Sequence, residues 1–222
     1  MSEAPQGRAG LWTANPVLVN LLGLCPLLAV TNTVVNALLL GLATLAVLMG
    51  VNVVVAALRR TLVASVRIPL FVLIIASFVT SVDLLIDAFF HDLHVLIGLF
   101  IPLIVTNCTI LAQAETIASR NSIGVALRSA IGTGIGFLGV LIALGAIREL
   151  FGRGTLFSGF DMLLGPAGAR VEIDLPFDGA LAFVLAPGAF LGLAALLALR
   201  NYIEHRKGDQ TASPERLSAG KS

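Results

Sequence analysis

Apolar residues in this chain come in long runs separated by short polar breaks, and the lengths of those runs define the elements. Val34 to Leu58 is apolar except for Asn36, Thr44 and Asn52, and it stops at Arg59-Arg60. Ile68 to Phe90 is nearly uninterrupted up to Asp83, and Ala180 to Leu199 ends at Arg200. Ile123 to Ile147 is apolar and rich in glycine (Gly124, Gly132, Gly134, Gly136, Gly139, Gly145), a composition that lets helices approach closely in lipid. A bilayer core about 30 Å thick needs about 20 apolar residues per crossing helix, so all four runs are long enough.

Two further runs are irregular. Val17 to Val30 would extend only about 21 Å as helix at 1.5 Å per residue, and Gly23 and Pro26 break it. Val95 to Ala112 is longer, but Pro102 and the polar cluster Thr106, Asn107, Cys108, Thr109 interrupt it. Such a run crosses as two half-helices or a partly unwound segment, which is tolerated only where the freed backbone is buried in protein. The pattern predicts an all-α integral membrane protein of six transmembrane helices with the first and fourth broken.

Composition sharpens this reading. Of 222 residues, 57% are hydrophobic and 12% charged, with mean hydropathy +0.97. Soluble domains carry about 25% charge, so most of this surface must face lipid or apolar protein. A formal charge of +1, one Trp and one Tyr provide neither the basic field nor the stacking surfaces of a nucleic-acid binder. Met1 to Gly10 is polar and the following run has no small-residue cleavage pattern, so the runs read as permanent spans, not a removable signal.

With six crossings and a cytoplasmic N-terminus, Arg8, Arg59, Arg60, Arg67, Arg120, Arg128, Arg200, Arg206, Lys207, Arg216 and Lys221 fall inside. Only Arg148, Arg153 and Arg170 fall outside, which satisfies the positive-inside rule with both termini cytoplasmic.

The chain also repeats itself. Cys25-Pro26-Leu27-Leu28-Ala29 and Cys108-Thr109-Ile110-Leu111-Ala112 share the pattern Cys-x-(Leu/Ile)-Leu-Ala, and they lie in the two irregular runs. Each is followed by two full spans, and an odd number of crossings per copy forces the second copy to enter from the opposite face. The expected organisation is a cytoplasmic segment 1–14, a three-helix repeat 15–92, an inverted three-helix repeat 93–200 and a disordered cytoplasmic tail 201–222.

In inverted-repeat folds, interrupted helices at matching positions point to a midplane site. Here they carry the protein's two cysteines. A free Cys also serves as a small buried hydrophobe, and the inverted geometry would permit a disulfide. A metal centre accounts better for a pair at equivalent positions: thiolates suit Zn or Fe-S, which usually take four ligands. Two per chain is half a site. His91, His94 and His205 lie near membrane edges or in the tail, so the other ligands are expected from a second chain, a copy or a homologue in the opposite orientation.

The same residues carry a family resemblance. Leu22 to Thr31 (Leu-Gly-Leu-Cys-Pro-Leu-Leu-Ala-Val-Thr), Ile101 to Cys108 (Ile-Pro-Leu-Ile-Val-Thr-Asn-Cys) and Ala114-Glu115 resemble the E-subunit family of the bacterial Rnf electron transport complex. Arg67-Ile68-Pro69, Ile74 to Ser77, Arg148 to Phe157 and Pro187 to Phe190 extend the likeness over roughly residues 11 to 200. The homologous D-subunit family of the sodium-pumping NADH:quinone reductase is similar but matches the two Cys motifs less well. The resemblance implies a multi-pass bacterial inner-membrane protein that pairs with the homologous Rnf A subunit of opposite topology, beside the B, C, D and G subunits. It implies that Cys25 and Cys108 supply two ligands to an intramembrane [2Fe-2S] cluster shared between the two homologues. It further implies that the complex couples electron transfer between NADH and ferredoxin to Na+ or H+ transport.

Other polar residues have plainer readings. Asp83 and Asp87 sit one turn apart late in their span, as solvated helix-end charges or the mouth of an ion path. Glu115 follows Cys108 near the same helical face and reads as a cap at the exit of that segment, a partner contact or the second ion-path candidate. The asparagines of the first two spans read as interhelical hydrogen-bonding groups, and Arg148-Glu149 before Gly152 and Gly154 reads as a helix terminus with its turn. No Walker loop, Gly-x-Ser-x-Gly or His-Glu-x-x-His motif occurs. Gly132-x-Gly134-x-Gly136 lies inside a span, so no flavin or NADH pocket is expected in this chain alone. A secondary transporter or channel with incidental cysteines is the rival from another class.

Overall fold

A computed structural model describes residues 21–60, 66–89, 94–95, 97–156, 173–174 and 185–211. The N-terminal segment 1–14, the start of the first run, residues 180–184 and the end of the tail lie outside the described residues. The elements are α1 (Leu24–Val30), α2 (Val34–Leu58), α3 (Arg67–Phe89), a 3-10 turn (Ile101–Ile104), α4 (Cys108–Gln113) continuing as a π-helical turn (Ala114–Ala118), α5 (Ile123–Arg153) and α6 (Ala186–Thr211). A two-residue antiparallel pair, Thr155–Leu156 with Ile173–Asp174, is the strand structure among the described residues.

Among the described residues, five helical stretches are long and apolar enough to cross a membrane: Val34–Leu58, Arg67–Phe89, Ile101–Ala118, Ile123–Gly152 and Ala186–Ile203. α1 is too short to count as a sixth. Gly23 supplies its N-cap in a left-handed conformation (φ 79°). Pro26 does not break α1. It sits in the first turn, where the N–H that proline lacks would have no intrahelical partner. The fourth run is interrupted as expected, with Pro102 in the 3-10 turn and Asn107 extended as the N-cap of α4, its side chain accepting the Thr109 N–H at 3.0 Å.

α2 and α5 form the most extensive helix pair. Gly41 of α2 receives Leu138 of α5, Gly134 of α5 receives Leu45 of α2, and Gly145 lies against Thr33, Val34 and Ala37 at the start of α2. The contact order is antiparallel. On one side of this pair Phe71, Ile75 and Val79 of α3 pack with Ile101, Ile104 and Ile110; on the other, Leu27, Ala37, Phe137, Leu141, Leu144 and Leu193 join α1, α2, α5 and α6. Among the described spans α3 is the least buried, and it turns Val72, Leu73, Leu84 and Leu85 outward.

Two helices run beyond their expected ends. α5 continues through Arg148 and Glu149 to a left-handed Gly154 cap, because both charged side chains are buried and bonded within the protein. α6 passes Arg200 to Thr211, into what the sequence reads as a disordered tail: residues 201–207 contain neither Gly nor Pro to stop it.

Candidate functional site

The two cysteine motifs meet. Cys25 stands in the first turn of α1, Cys108 is the first residue of α4, and the Gly23 N–H donates to Cys108 Sγ at 2.9 Å. Their contact is tight around Gly23. A Cβ there would lie 2.7 Å from Phe137 Cε2, 2.7 Å from Thr109 Oγ1 and 3.1 Å from Asn107 Oδ1. Phe137 is near the middle of the 31-residue α5, so the junction sits at mid-depth of the helix bundle.

Both cysteines are free thiols and both are exposed on the surface of the chain. There is no disulfide between them, and neither is covered as a small core hydrophobe would be. Asn107 and Thr109, on either side of Cys108, are buried, and Asn107 Nδ2 and Thr109 Oγ1 find no partner among the described residues. No group of three or more His, Cys, Asp or Glu side chains suited to a metal occurs among the described residues. The two motifs together present two free thiols, Cys25 and Cys108.

Charged residues hold the junction from behind. The Arg148 guanidinium donates to Leu28 O at 3.2 Å and Thr31 Oγ1 at 2.9 Å, and the Glu149 carboxylate accepts the Val34 N–H at 2.8 Å. The first contact binds a carbonyl at the C-terminal end of α1, the last an N–H at the start of α2, both left without intrahelical partners. The sequence reading of Arg148-Glu149 as a helix end with its turn holds in outline, since α5 ends at Arg153 with Gly154 as its left-handed cap; the structure adds that the pair fixes the connection between α1 and α2. The signal is present in the chain, since two adjacent charges between apolar runs need partners if they are buried.

The other candidates are placed elsewhere. Asp83 Oδ1 lies 2.9 Å from His94 Nε2, and Asp87 Oδ1 lies 3.4 Å from His94 Nδ1. One imidazole thus faces both carboxylates, and a neutral ring can donate to only one of them. Glu115 stands in the π-helical turn and pairs with Arg67 at 3.1 Å, with the Arg67 guanidinium also 6.0 Å from the Phe71 ring centroid. Single π turns inside helices are frequent at functional sites. Asn52 donates to Leu48 O of its own helix at 2.7 Å, an intrahelical bond in place of the interhelical one expected.

Comparison with known proteins places the chain in a family of membrane proteins. Residues 7–197 match the family model described as Rnf-Nqr subunit, membrane protein. The chain is 50% identical over 212 residues to the E subunit of the ion-translocating oxidoreductase complex of Shewanella amazonensis, covering 95% of this chain and 91% of that protein. It is 50% identical over 207 residues to the protein of the same name in Vibrio parahaemolyticus (92% and 90%), and 52% identical over 204 residues to that of Shewanella denitrificans (90% and 87%). With the family model spanning most of the chain and half of all residues shared with such relatives, this protein belongs to the Rnf-Nqr family of membrane subunits.

Proposed function

We propose that the chain is the E subunit of an Rnf-type ion-translocating oxidoreductase, and that Cys25 and Cys108 are half the ligand set of a [2Fe-2S] cluster inside the membrane. The observation that carries this is the junction of the two Cys motifs, with the Gly23 N–H donated to Cys108 Sγ and both thiols exposed. A [2Fe-2S] cluster takes four thiolates. Two from one chain, presented on its surface, fit a ligand set completed by a second protein. On this reading the partner is the homologous A subunit, inserted in the opposite orientation.

When bound, the cluster supplies one-electron redox chemistry within the bilayer. The residues of this chain position it. Gly23, Asn107 and Thr109 shape the rim around Cys108, and Arg148 and Glu149 hold the α1–α2 connection that carries Cys25. A cluster held there would divide a hydrocarbon barrier about 30 Å thick into two shorter gaps. The complex then couples transfer between NADH and ferredoxin to transport of Na+ or H+. Among the described residues, Glu115 with Arg67 and Asp83 with His94 and Asp87 are the candidates for an ion path.

The reciprocal antiparallel packing of α2 on α5 supports a six-helix inverted repeat, with α1 and the 3-10/α4 segment as its broken first and fourth members. The distribution of Lys and Arg supports cytoplasmic termini, and the likeness to the Rnf subunits supports placement in the bacterial inner membrane. Iron quantification on the purified complex tests the ligand assignment. Cys25→Ser should remove the two irons of one cluster while the complex remains assembled; unchanged iron would refute it.

A further inference from the structure

Gly23 is fixed in place for two independent reasons. Its φ of 79° is a conformation that L side chains rarely adopt, and the space where a Cβ would stand is already taken by Phe137 Cε2 and Thr109 Oγ1, each at 2.7 Å. A residue restricted in this way brings its backbone close to something. Here the backbone group it brings is an N–H, delivered to Cys108 Sγ at 2.9 Å across the boundary between the two Cys motifs.

We infer that Gly23 is a positioning and tuning residue for Cys108: its N–H orients Sγ before any cofactor arrives and, resting on the cluster assignment above, raises the reduction potential of the centre that Cys108 holds. Hydrogen bonds to ligand sulfurs are among the determinants of Fe-S potentials. The direction follows from charge. A cluster on four thiolates is anionic and gains one further negative charge on reduction, so a donor aimed at a ligand sulfur stabilises the reduced form more than the oxidised form.

Rigidity makes the bond dependable. Gly23 is pressed between Phe137 of α5 and Thr109 of α4, and the end of its helix is gripped by Arg148. The donor cannot swing away without moving α1. The arrangement is also asymmetric: the donor belongs to the first motif and the acceptor to the second, so the contact fixes the distance between the two ligand-bearing segments as well as the direction of one sulfur.

The test uses the whole purified complex, reduced with dithionite, after growth with 15N-glycine. Pulsed EPR of the reduced [2Fe-2S] signal should show hyperfine coupling to a glycine nitrogen. In Gly23→Ala, whose Cβ forces α1 away from Thr109 and Phe137, that coupling should weaken and the midpoint potential should move lower while the signal survives. Where Gly23→Ala fails to assemble, the wild-type coupling decides alone. A [2Fe-2S] signal with no glycine coupling, or an assembled Gly23→Ala complex with unchanged potential, overturns this inference and leaves the cluster assignment standing. A wild-type complex with no [2Fe-2S] signal overturns both.

Discussion

The carboxylate of Glu149, near the C-terminal end of α5, accepts the backbone N–H of Val34 at the start of α2 at 2.8 Å. The first N–H groups of a helix have no partner of their own, and in a membrane protein water is not at hand to satisfy them. A charged acceptor brought in from a distant part of the chain does so. With Arg148 on Leu28 O and Thr31 Oγ1, one turn of α5 ties down both sides of the short connection between α1 and α2. Cys25 rides on the helix that this turn anchors.

Removing that acceptor leaves a buried donor unsatisfied. Glu149→Ala should destabilise the protein by about 1.5–3 kcal/mol, the range for a hydrogen bond to a charged group. Glu149→Gln, which keeps an acceptor oxygen of similar reach, should lose less. Thermal unfolding of the detergent-purified complex checks the order, and equal stability of Glu149→Ala and wild type would contradict it.

Glycines of α5 should divide by what faces them. A Cβ on Gly145 would lie 3.2 Å from Thr33 O and from Ala37 Cβ, and the backbone there is held by Glu149, so it has little room to yield. Gly132 has nothing within 4 Å. Gly145→Ala is expected to cost about 1–3 kcal/mol through overpacking, whereas Gly132→Ala gains helix propensity of up to about 1 kcal/mol. Parallel melting curves of the two variants measure the contrast, and the reverse order would show that the α2–α5 contact is not as described.

The Arg67–Glu115 pair should matter little to stability. Its side chains are 27% and 41% exposed, and partly exposed ion pairs contribute about 0–1 kcal/mol. Glu115→Gln should therefore assemble and melt within about 1 kcal/mol of wild type. If Glu115 lines the ion path, the same variant should transport fewer ions per electron in sealed vesicles at unchanged cluster content. An unchanged ratio would remove Glu115 from the path.

Much of the fold is legible in the sequence because lipid leaves few options. A span of about 20 apolar residues closed by Arg59-Arg60 has one reading, and α2 has the bounds that reading assigns. The internal repeat alone marks Cys25 and Cys108 as related, and folding brings their motifs into contact. Charge misleads at Arg200 and tells only part at Arg148-Glu149. A charged pair looks like a boundary in a linear chain, and α5 does end four residues after it; what the chain does not tell is that its partners come from α1 and α2. The Gly23 to Cys108 bond is likewise invisible in the sequence, since it depends on the approach of two segments far apart along the chain.

Low-temperature EPR of the reduced complex, comparing wild type with Cys25→Ser and Cys108→Ser, tests the central assignment most directly. Each substitution is expected to abolish one [2Fe-2S] signal and NADH–ferredoxin electron transfer while the complex stays assembled. Persistence of the full signal and turnover in either variant would contradict the assignment, and would make Cys25 and Cys108 packing residues of a transporter-like fold.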